Sequence, residues 1–577
     1  MPLTILGLSG ALGHDASAAL LLDGEIVAAV EEERLLRDKH ARGQMPLESA
    51  RWCLEQAGLS PGDVDIVSIP MAPVSLMSPA RWHYAGRYWY APDRALDALF
   101  NGNRRYRRYL GQVRQMLQQL GFRPAQVQVD SIEHHLAHAA SCYAFSGFDD
   151  KTAIMGIDGK GEYATTFFGY GEQGQIHRIA ECYDPDSLGG LYGALTQYLG
   201  FDMLDGEYKV MGMAPYGDPE RIDLSRLVQF KGGRLRVNTR YANVVGLRRY
   251  KEASKGYYFS PRLVDWLGPR RTDDAADEPY IHYAAAVQDV FERISLAMMD
   301  YYLGDILRDT GKLAFAGGGA LNVKLNQKII ARPEVRELFV QPAAGDAGTA
   351  LGAAAVSSQQ RGVPVAPMRH AYHGPGYTTD QVLAACRADP RQPQLRQMAD
   401  VPGEVAALLA AGHPVAWFQG RMEFGPRALG ARSILGCPSI PGMADRINAQ
   451  IKYRERWRPF CPSMTEEAGA QMFATAHPAP FMTFTFEVSP GWRERVPEVV
   501  HADGTARPQF VGPQDHPRYF ALLQAMEKLT GNAVLLNTSL NRRGEAMVCS
   551  PEDALEMFFG SDLQYLVMED VLCTKPG

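Results

Sequence analysis

The chain of 577 residues is 46% hydrophobic and 21% charged, with 56 glycines and 37 prolines, which excludes disorder, collagen and coiled coil and predicts a multidomain globular protein. Lysine plus arginine number 59 against 65 acidic residues, for a net charge of −6 and a pI near 6.2; this argues against affinity built on neutralising a nucleic-acid backbone and favours a compact substrate. Eight scattered cysteines form no CxxC pair, and neither a signal-peptide pattern nor a run of about 18 apolar residues occurs, so the chain is expected in the reducing cytoplasm, without disulfide framework, zinc ribbon or membrane span.

The first thirty residues read as a strand over 4–9, a turn carrying Gly10, Gly13, His14 and Asp15, a strand over 17–22, an Asp23-Gly24 hairpin and a strand over 25–30. The pattern returns as a strand over 153–157, a polar turn Asp158-Gly159-Lys160-Gly161, a strand over 163–168 and, past Gly174, a strand over 175–179. Two copies predict duplicated α/β halves with ligand near the turns. Between them, the segment 71–122 sets Arg81, Arg87, Arg94, Arg104, Arg105, Arg107 and Arg108 among Trp82, Tyr84, Tyr88, Trp89, Tyr90, Tyr106 and Tyr109. Such residues can stack on bases, but in an acidic chain a surface helical insertion, aromatics inward and arginines outward, is the expected form.

In HHLAHAASCYAF, His134 and His138 stand four apart on one helical face, a spacing that suits one metal ion and equally a pair of core histidines. Asp158 after the next strand and Asp346 in the small-residue loop 342–348 add two carboxylates. Two imidazoles and two carboxylates leave coordination positions open and suit Fe(II), Mn or Zn. Gly317, Gly318 and Gly319 follow a strand over 312–315 and lead through Asn322 into a helix, a run that lets backbone approach a phosphate or forms only a tight turn. The aperiodic stretch 357–377 reads as a connection between a domain over 1–356, with its 71–122 insertion, and one over 378–577. The second domain opens with helices over 379–387 and 402–411 and a strand over 414–418. Arg421, Arg427, Lys452, Arg454, Arg456, Arg458 and Arg507, with the small polar groups of 536–539, read as a site for ATP and its leaving pyrophosphate or as a solvated basic face; the interruptions by Gly, Pro, Trp457 and Phe460 favour a site.

Seven ordered motifs carry a resemblance across nearly the whole length: GHDASAALLLDGEIVAAVEEER (13–34), HHLAHAASCYAFSGF (134–148), GEYKVMGMAPYG (206–217), GGGALN (317–322), GRMEFGPRALGARS (420–433), RPFCPS (458–463) and LLNTSLNRRGE (535–545). The chain resembles the O-carbamoyltransferases of the nodulation protein U type and the antibiotic-tailoring enzymes that act on cephalosporins, aminocoumarins, ansamycins and aminoglycosides. The resemblance implies an α/β fold with an N-terminal duplicated actin/Hsp70-like domain similar to the threonylcarbamoyl-transferase fold, and a C-terminal domain that forms carbamoyl adenylate from carbamoyl phosphate and ATP, with Mg accompanying the ATP. It implies transfer of the carbamoyl group to a hydroxyl of a small-molecule, natural-product acceptor, with no nucleic-acid or membrane partner and a dimer among the open oligomeric states. It further implies Fe(II) on His134, His138, Asp158 and Asp346, an adenylate site of Arg427, Lys452, Arg458, Arg507, Asn537 and Ser539, and His14 as the transfer-site histidine and general base. A tRNA-modifying threonylcarbamoyl enzyme would need a basic footprint, a hydrogenase-maturation carbamoyltransferase would need CxxC zinc fingers, and a non-catalytic nucleotide-binding regulator would release no pyrophosphate.

Overall fold

The computed structural model describes residues 2–123, 127–242, 257–273, 275–453, 455, 457–474 and 477–576. Two compact units result, Met1–Ala28 with Gly43–Met368, and Ala29–Arg42 with Arg369–Gly577. The division at 368/369 lies inside the 357–377 stretch, whose first residues continue a helix through Gln359. The sequence puts 29–42 in the first domain. In the structure it clusters with the second unit, because Glu31, Arg34 and Arg37 spend their hydrogen bonds there.

The first unit is built on two five-stranded sheets. One contains β1 (Thr4–Leu8), β2 (Ser17–Leu22), β3 (Glu25–Glu31), β4 (Ile66–Ile69) and β5 (Gln128–Ser131) in the order β3-β2-β1-β4-β5. The other contains β6 (Thr152–Ile157), β7 (Ala164–Glu172), β8 (Gln175–Tyr183), β9 (Lys312–Ala316) and β10 (Glu337–Val340) in the order β10-β9-β6-β7-β8. In both, the first strand pairs antiparallel with the second and parallel with the fourth, so the repeat read from the sequence recurs in the sheet topology. β6 is buried along its whole length, which accounts for its unbroken apolar sequence.

Three helices set the site. α1 (His134–Tyr143) packs against α3 (Thr349–Gln359), TALGAAAVSSQ, buried from Thr349 to Ser358, while α2 (Tyr280–Thr310) packs on β6 and β7. Small side chains let α3 approach its neighbours at backbone distance: a Cβ on Gly352 would stand 1.8 Å from the Ala137 carbonyl oxygen of α1, and a Cβ on Gly7 of β1 would stand 2.1 Å from that of Ala350.

The 71–122 segment forms the helices Pro79–Arg87, Pro92–Asn101 and Arg104–Gln119. Tyr84, Tyr88 and Tyr109 point inward as expected, but Trp82 and Trp89 face solvent and Arg81 is buried. The Arg81 guanidinium donates to the Leu99 and Val74 carbonyls at 3.1 and 2.7 Å, which compensates its burial.

The second unit is a mixed eight-stranded sheet of β11 (Gln394–Gln397), β12 (Val415–Phe418), β13 (Arg432–Gly436), β14 (Cys461–Thr465), β15 (Gln509–Val511), β16 (Val534–Ser539), β17 (Tyr565–Met568) and β18 (Val571–Thr574), ordered β11-β18-β17-β12-β13-β16-β14-β15. α4 (Val401–Ala410) and α5 (Pro517–Thr530) contribute Val405, Leu409, Leu522 and Met526 to a core with Trp417, Leu535 and Val567. Among the described residues no helix is long and apolar enough to cross a membrane.

Candidate active site

His134 and His138 occupy successive turns of α1, and their Nε2 atoms face each other at 3.1 Å. Asp346, at the end of the loop entering α3, brings Oδ1 to 3.5 Å from His134 Nε2 and 3.6 Å from His138 Nε2, while Asp158 Oδ2, at the end of β6, lies 3.9 Å from His134 Nε2. All four side chains are buried, and one ligand atom from each lies within 4.8 Å of the others. Two neutral imidazoles cannot both direct lone pairs at one another without an intervening proton or cation. His134 Nδ1 stands 3.3 Å from the Pro70 carbonyl, a partner that holds the proton on Nδ1 and leaves Nε2 for a metal. Asp346 Oδ2 is buried without a hydrogen-bond partner, and two imidazole nitrogens with two carboxylates converge on one point, so the donor set fits a divalent ion. Burial disfavours charge on Asp346 and Asp158, yet the imidazoles beside them hold both carboxyls below the usual range, and His134 is correspondingly pushed well up by Asp346 and Asp158 against its own burial.

The backbone around this cluster is shaped to orient it. Gly317, at φ +87°, passes so close to β6 that a Cβ would stand 2.3 Å from the Ile157 carbonyl oxygen, and the next amide, Gly318 N–H, donates to Asp158 Oδ1 at 2.9 Å. Gly317 and Gly319 both lie against Ile157, so the run read as a phosphate approach or a tight turn packs closely on β6, and its Gly318 amide holds a carboxylate. Asn322 accepts from Leu325 N–H as a helix cap and exchanges hydrogen bonds with Gln288; its side chain is committed to structure. His14 Nδ1 lies 3.1 Å from Asp15 Oδ2 and 3.8 Å from Asp346 Oδ2, bringing the predicted transfer histidine to the edge of the cluster. Burial would lower its pKa, but Asp346, Asp15 and Asp158 raise it to about 9. The carboxylates around it thus favour the imidazolium form of His14.

In the second unit Lys452 is buried, and its Nζ donates to the Ser539 carbonyl, to Asn541 O at 2.9 Å and to Asn541 Oδ1 at 2.7 Å. Ser539 Oγ stands 3.3 Å from the same ammonium. Asn537, two residues earlier on β16, donates Nδ2 to Ala428 O and Ser463 Oγ at 3.1 and 2.9 Å, while its Oδ1 is buried without a partner. Arg507 Nε donates to Cys461 Sγ at 3.1 Å, and Cys461 faces Asn537 across the β14–β16 ladder. Arg458 pairs with Glu455 at 3.7 Å, and Arg427 is half-buried in the 420–430 loop. The structure thus joins Lys452, Asn537, Ser539 and Arg507 at the ends of β14 and β16. Arg454 and Arg456 lie outside the described residues.

Sequence reasoning missed the groups that hold these loops. Glu423 Oε1 accepts the amides of Leu429, Ala431 and Arg432 at 2.7, 2.8 and 3.2 Å. Gly425 is gripped from both sides: its N–H donates to Glu31 Oε1 at 2.7 Å and its carbonyl accepts from Arg34 at 3.0 Å. Glu162 accepts the His134 amide at 3.2 Å and that of Ala72 at 2.8 Å, tethering the first turn of α1. The EEER run at 31–34 was the available signal, since four consecutive charges ending a buried strand require partners.

Comparison with known proteins agrees with this arrangement. The profile described as carbamoyltransferase N-terminus matches residues 4–355, and that described as carbamoyltransferase C-terminus matches 406–575. The chain is 35% identical to an uncharacterized protein of Synechocystis sp., covering 99% of this chain and 96% of that one. It is 33% identical to the nodulation protein NolNO of Sinorhizobium fredii, covering 99% and 82%, and 26% identical to the nodulation protein U of Rhizobium tropici, covering 98% and 95%. The two profiles account for both compact units, and the chain belongs to the carbamoyltransferase family.

Proposed function

We propose that this carbamoyltransferase makes carbamoyl adenylate from carbamoyl phosphate and ATP in its second unit, then transfers the carbamoyl group in its first unit to a hydroxyl of a small-molecule natural product. The observation that carries the reading is the presence of two unlike polar clusters in two compact units: cations and amides at Lys452, Asn537, Ser539 and Arg507, and imidazoles and carboxylates at His134, His138, Asp158, Asp346 and His14. Cations suit the first half-reaction, in which water cleaves carbamoyl phosphate to carbamate and phosphate, and the carbamate oxygen then attacks the α-phosphorus of ATP, forming carbamoyl adenylate as the bond to pyrophosphate breaks. The orphaned Asn537 Oδ1 is an acceptor of the kind a carbamoyl N–H requires.

In the second half-reaction the acceptor oxygen attacks the carbamoyl carbon, the bond to AMP breaks, and the hydroxyl proton passes to a base. His134, His138, Asp158 and Asp346 would hold a divalent ion, Fe(II) by the resemblance, which when bound supplies positive charge to the reacting oxygens. Asp346, Asp15 and Asp158 favour the protonated form of His14, and a cation held by Asp346 and Asp158 would weaken that pull and favour its action as a base. Incubation with ATP and carbamoyl phosphate, followed by pyrophosphate measurement and mass spectrometry over a panel of hydroxyl acceptors, tests the reading. Pyrophosphate release that depends on carbamoyl phosphate, and a carbamate product, are expected; release independent of carbamoyl phosphate would refute it.

A further inference from the structure

The helical arm 76–108 carries an unusual surface. Seven of the thirteen exposed large hydrophobic side chains among the described residues fall between Leu76 and Phe100, and Met77, Trp89 and Phe100, at 79%, 78% and 74% exposure, are the most exposed of all. The arm is nevertheless firmly seated. Tyr84, Tyr88 and Ala98 pack with Tyr163, and Arg81 ties helix Pro79–Arg87 to the carbonyls of Val74 and Leu99. The apolar groups facing solvent are therefore not the consequence of a loose segment. They follow helical spacing on the outer side: Leu96 and Phe100 are four apart on a helix that buries only Ala98, and Trp82 lies on the side away from the buried Tyr84.

We propose that this surface is the interface of a two-fold dimer of the chain. Charge order selects the occupant. Exposed Asp93 and Asp97, with the half-buried Arg94 between them, precede Phe100, and exposed Arg104, Arg105, Arg107 and Arg108 follow it. A two-fold axis near Phe100 reverses the direction of the second copy, so each acidic end meets the other copy's arginines while Leu96 and Phe100 of both copies meet at the centre. An apolar, aromatic centre with an arginine-bearing rim is the composition of an interface. Against a phosphate surface, whether bilayer or nucleic acid, Asp93 and Asp97 beside Phe100 would meet like charge, whereas in the dimer they meet arginines.

Charge exchange tests the proposal on the full chain. The wild type is expected to sediment at twice 63.6 kDa at micromolar concentration. Asp93→Arg with Asp97→Arg removes the acidic groups of the arm, and Arg104→Glu with Arg105→Glu, Arg107→Glu and Arg108→Glu reverses the basic end; each variant alone is expected to be monomeric, and an equimolar mixture of the two is expected to recover the dimer. Recovery on mixing also proves that both variants fold. Trp89→Ala with Phe100→Ala is expected to weaken association at least tenfold. A monomeric wild type at tens of micromolar, a dimer that neither charge variant disturbs, or arm-dependent binding to anionic vesicles or tRNA by a protein that stays monomeric would each overturn it.

Discussion

His516 shows how one buried side chain sets a pH dependence. It caps α5, Nδ1 accepting the Tyr519 amide at 3.3 Å, a bond that requires an unprotonated Nδ1. Burial pulls its pKa down to about 4, and His373, whose ring stands 2.9 Å from the His370 carbonyl, is pulled down to about 3 by burial and by His370. Both folded values lie below the unfolded value of 6.5, so the stability they contribute is complete above pH 6.5 and is lost as pH falls towards 4. For His516 the full swing is about 3 kcal/mol. Denaturant unfolding of the second unit should therefore weaken between pH 7 and pH 5, and His516→Asn, which keeps a capping oxygen without the titrating ring, should flatten part of that slope. An unchanged slope would show that the cap does not titrate. Residue roles of this kind were legible only where spacing constrains them: the four-residue interval of His134 and His138 is visible in the sequence, whereas the commitment of Asn322 to Leu325 and Gln288 depends on which helix packs beside it.

At the scale of elements, the contact of α1 with α3 decides whether the His and Asp ligands meet, because His134 and His138 ride on one helix and Asp346 leads into the other. Gly352 makes that contact possible, and a Cβ there would stand 1.8 Å from the Ala137 oxygen. Alanine would gain about 1 kcal/mol of helix propensity, but overpacking of a filled interior costs about 1 to 3 kcal/mol and moves the helices apart. Gly352→Ala should thus lower the melting temperature and reduce bound Fe, Mn or Zn by elemental analysis, whereas Gly111→Ala, on the exposed side of helix Arg104–Gln119 with nothing within 4 Å, should stabilise slightly and leave metal content alone. Equal behaviour of the two variants would remove the close approach from the account. The strands β1, β2 and β6 and the repeat they begin were legible because alternation, turns and apolar runs are local signals. That segment 29–42 joins the second unit was not, since only its distant partners Gly425, Ala546 and Asp553 reveal it.

For the whole molecule, placement of the two clusters in different units leads us to expect the proposed two-step reaction to be separable by mutation. Lys452 does more than present a charge: it gathers Ser539 and Asn541 at the end of β16, so its removal costs both the cation and the alignment of its neighbours. Losing a preorganised group that faces developing charge costs about 3 to 4 kcal/mol, or two to three powers of ten in rate. Lys452→Ala should therefore suppress pyrophosphate release and, with it, every carbamoylated product. His14 belongs to the other unit, beside Asp15 and Asp346, so His14→Ala should leave pyrophosphate release near its original rate while carbamoyl transfer falls. The two products are measured in parallel on each variant, with circular dichroism to verify folding. Equal loss of pyrophosphate and carbamate in His14→Ala would mean that the first unit takes part in adenylate formation, and the division of chemistry between the units would then have to be abandoned.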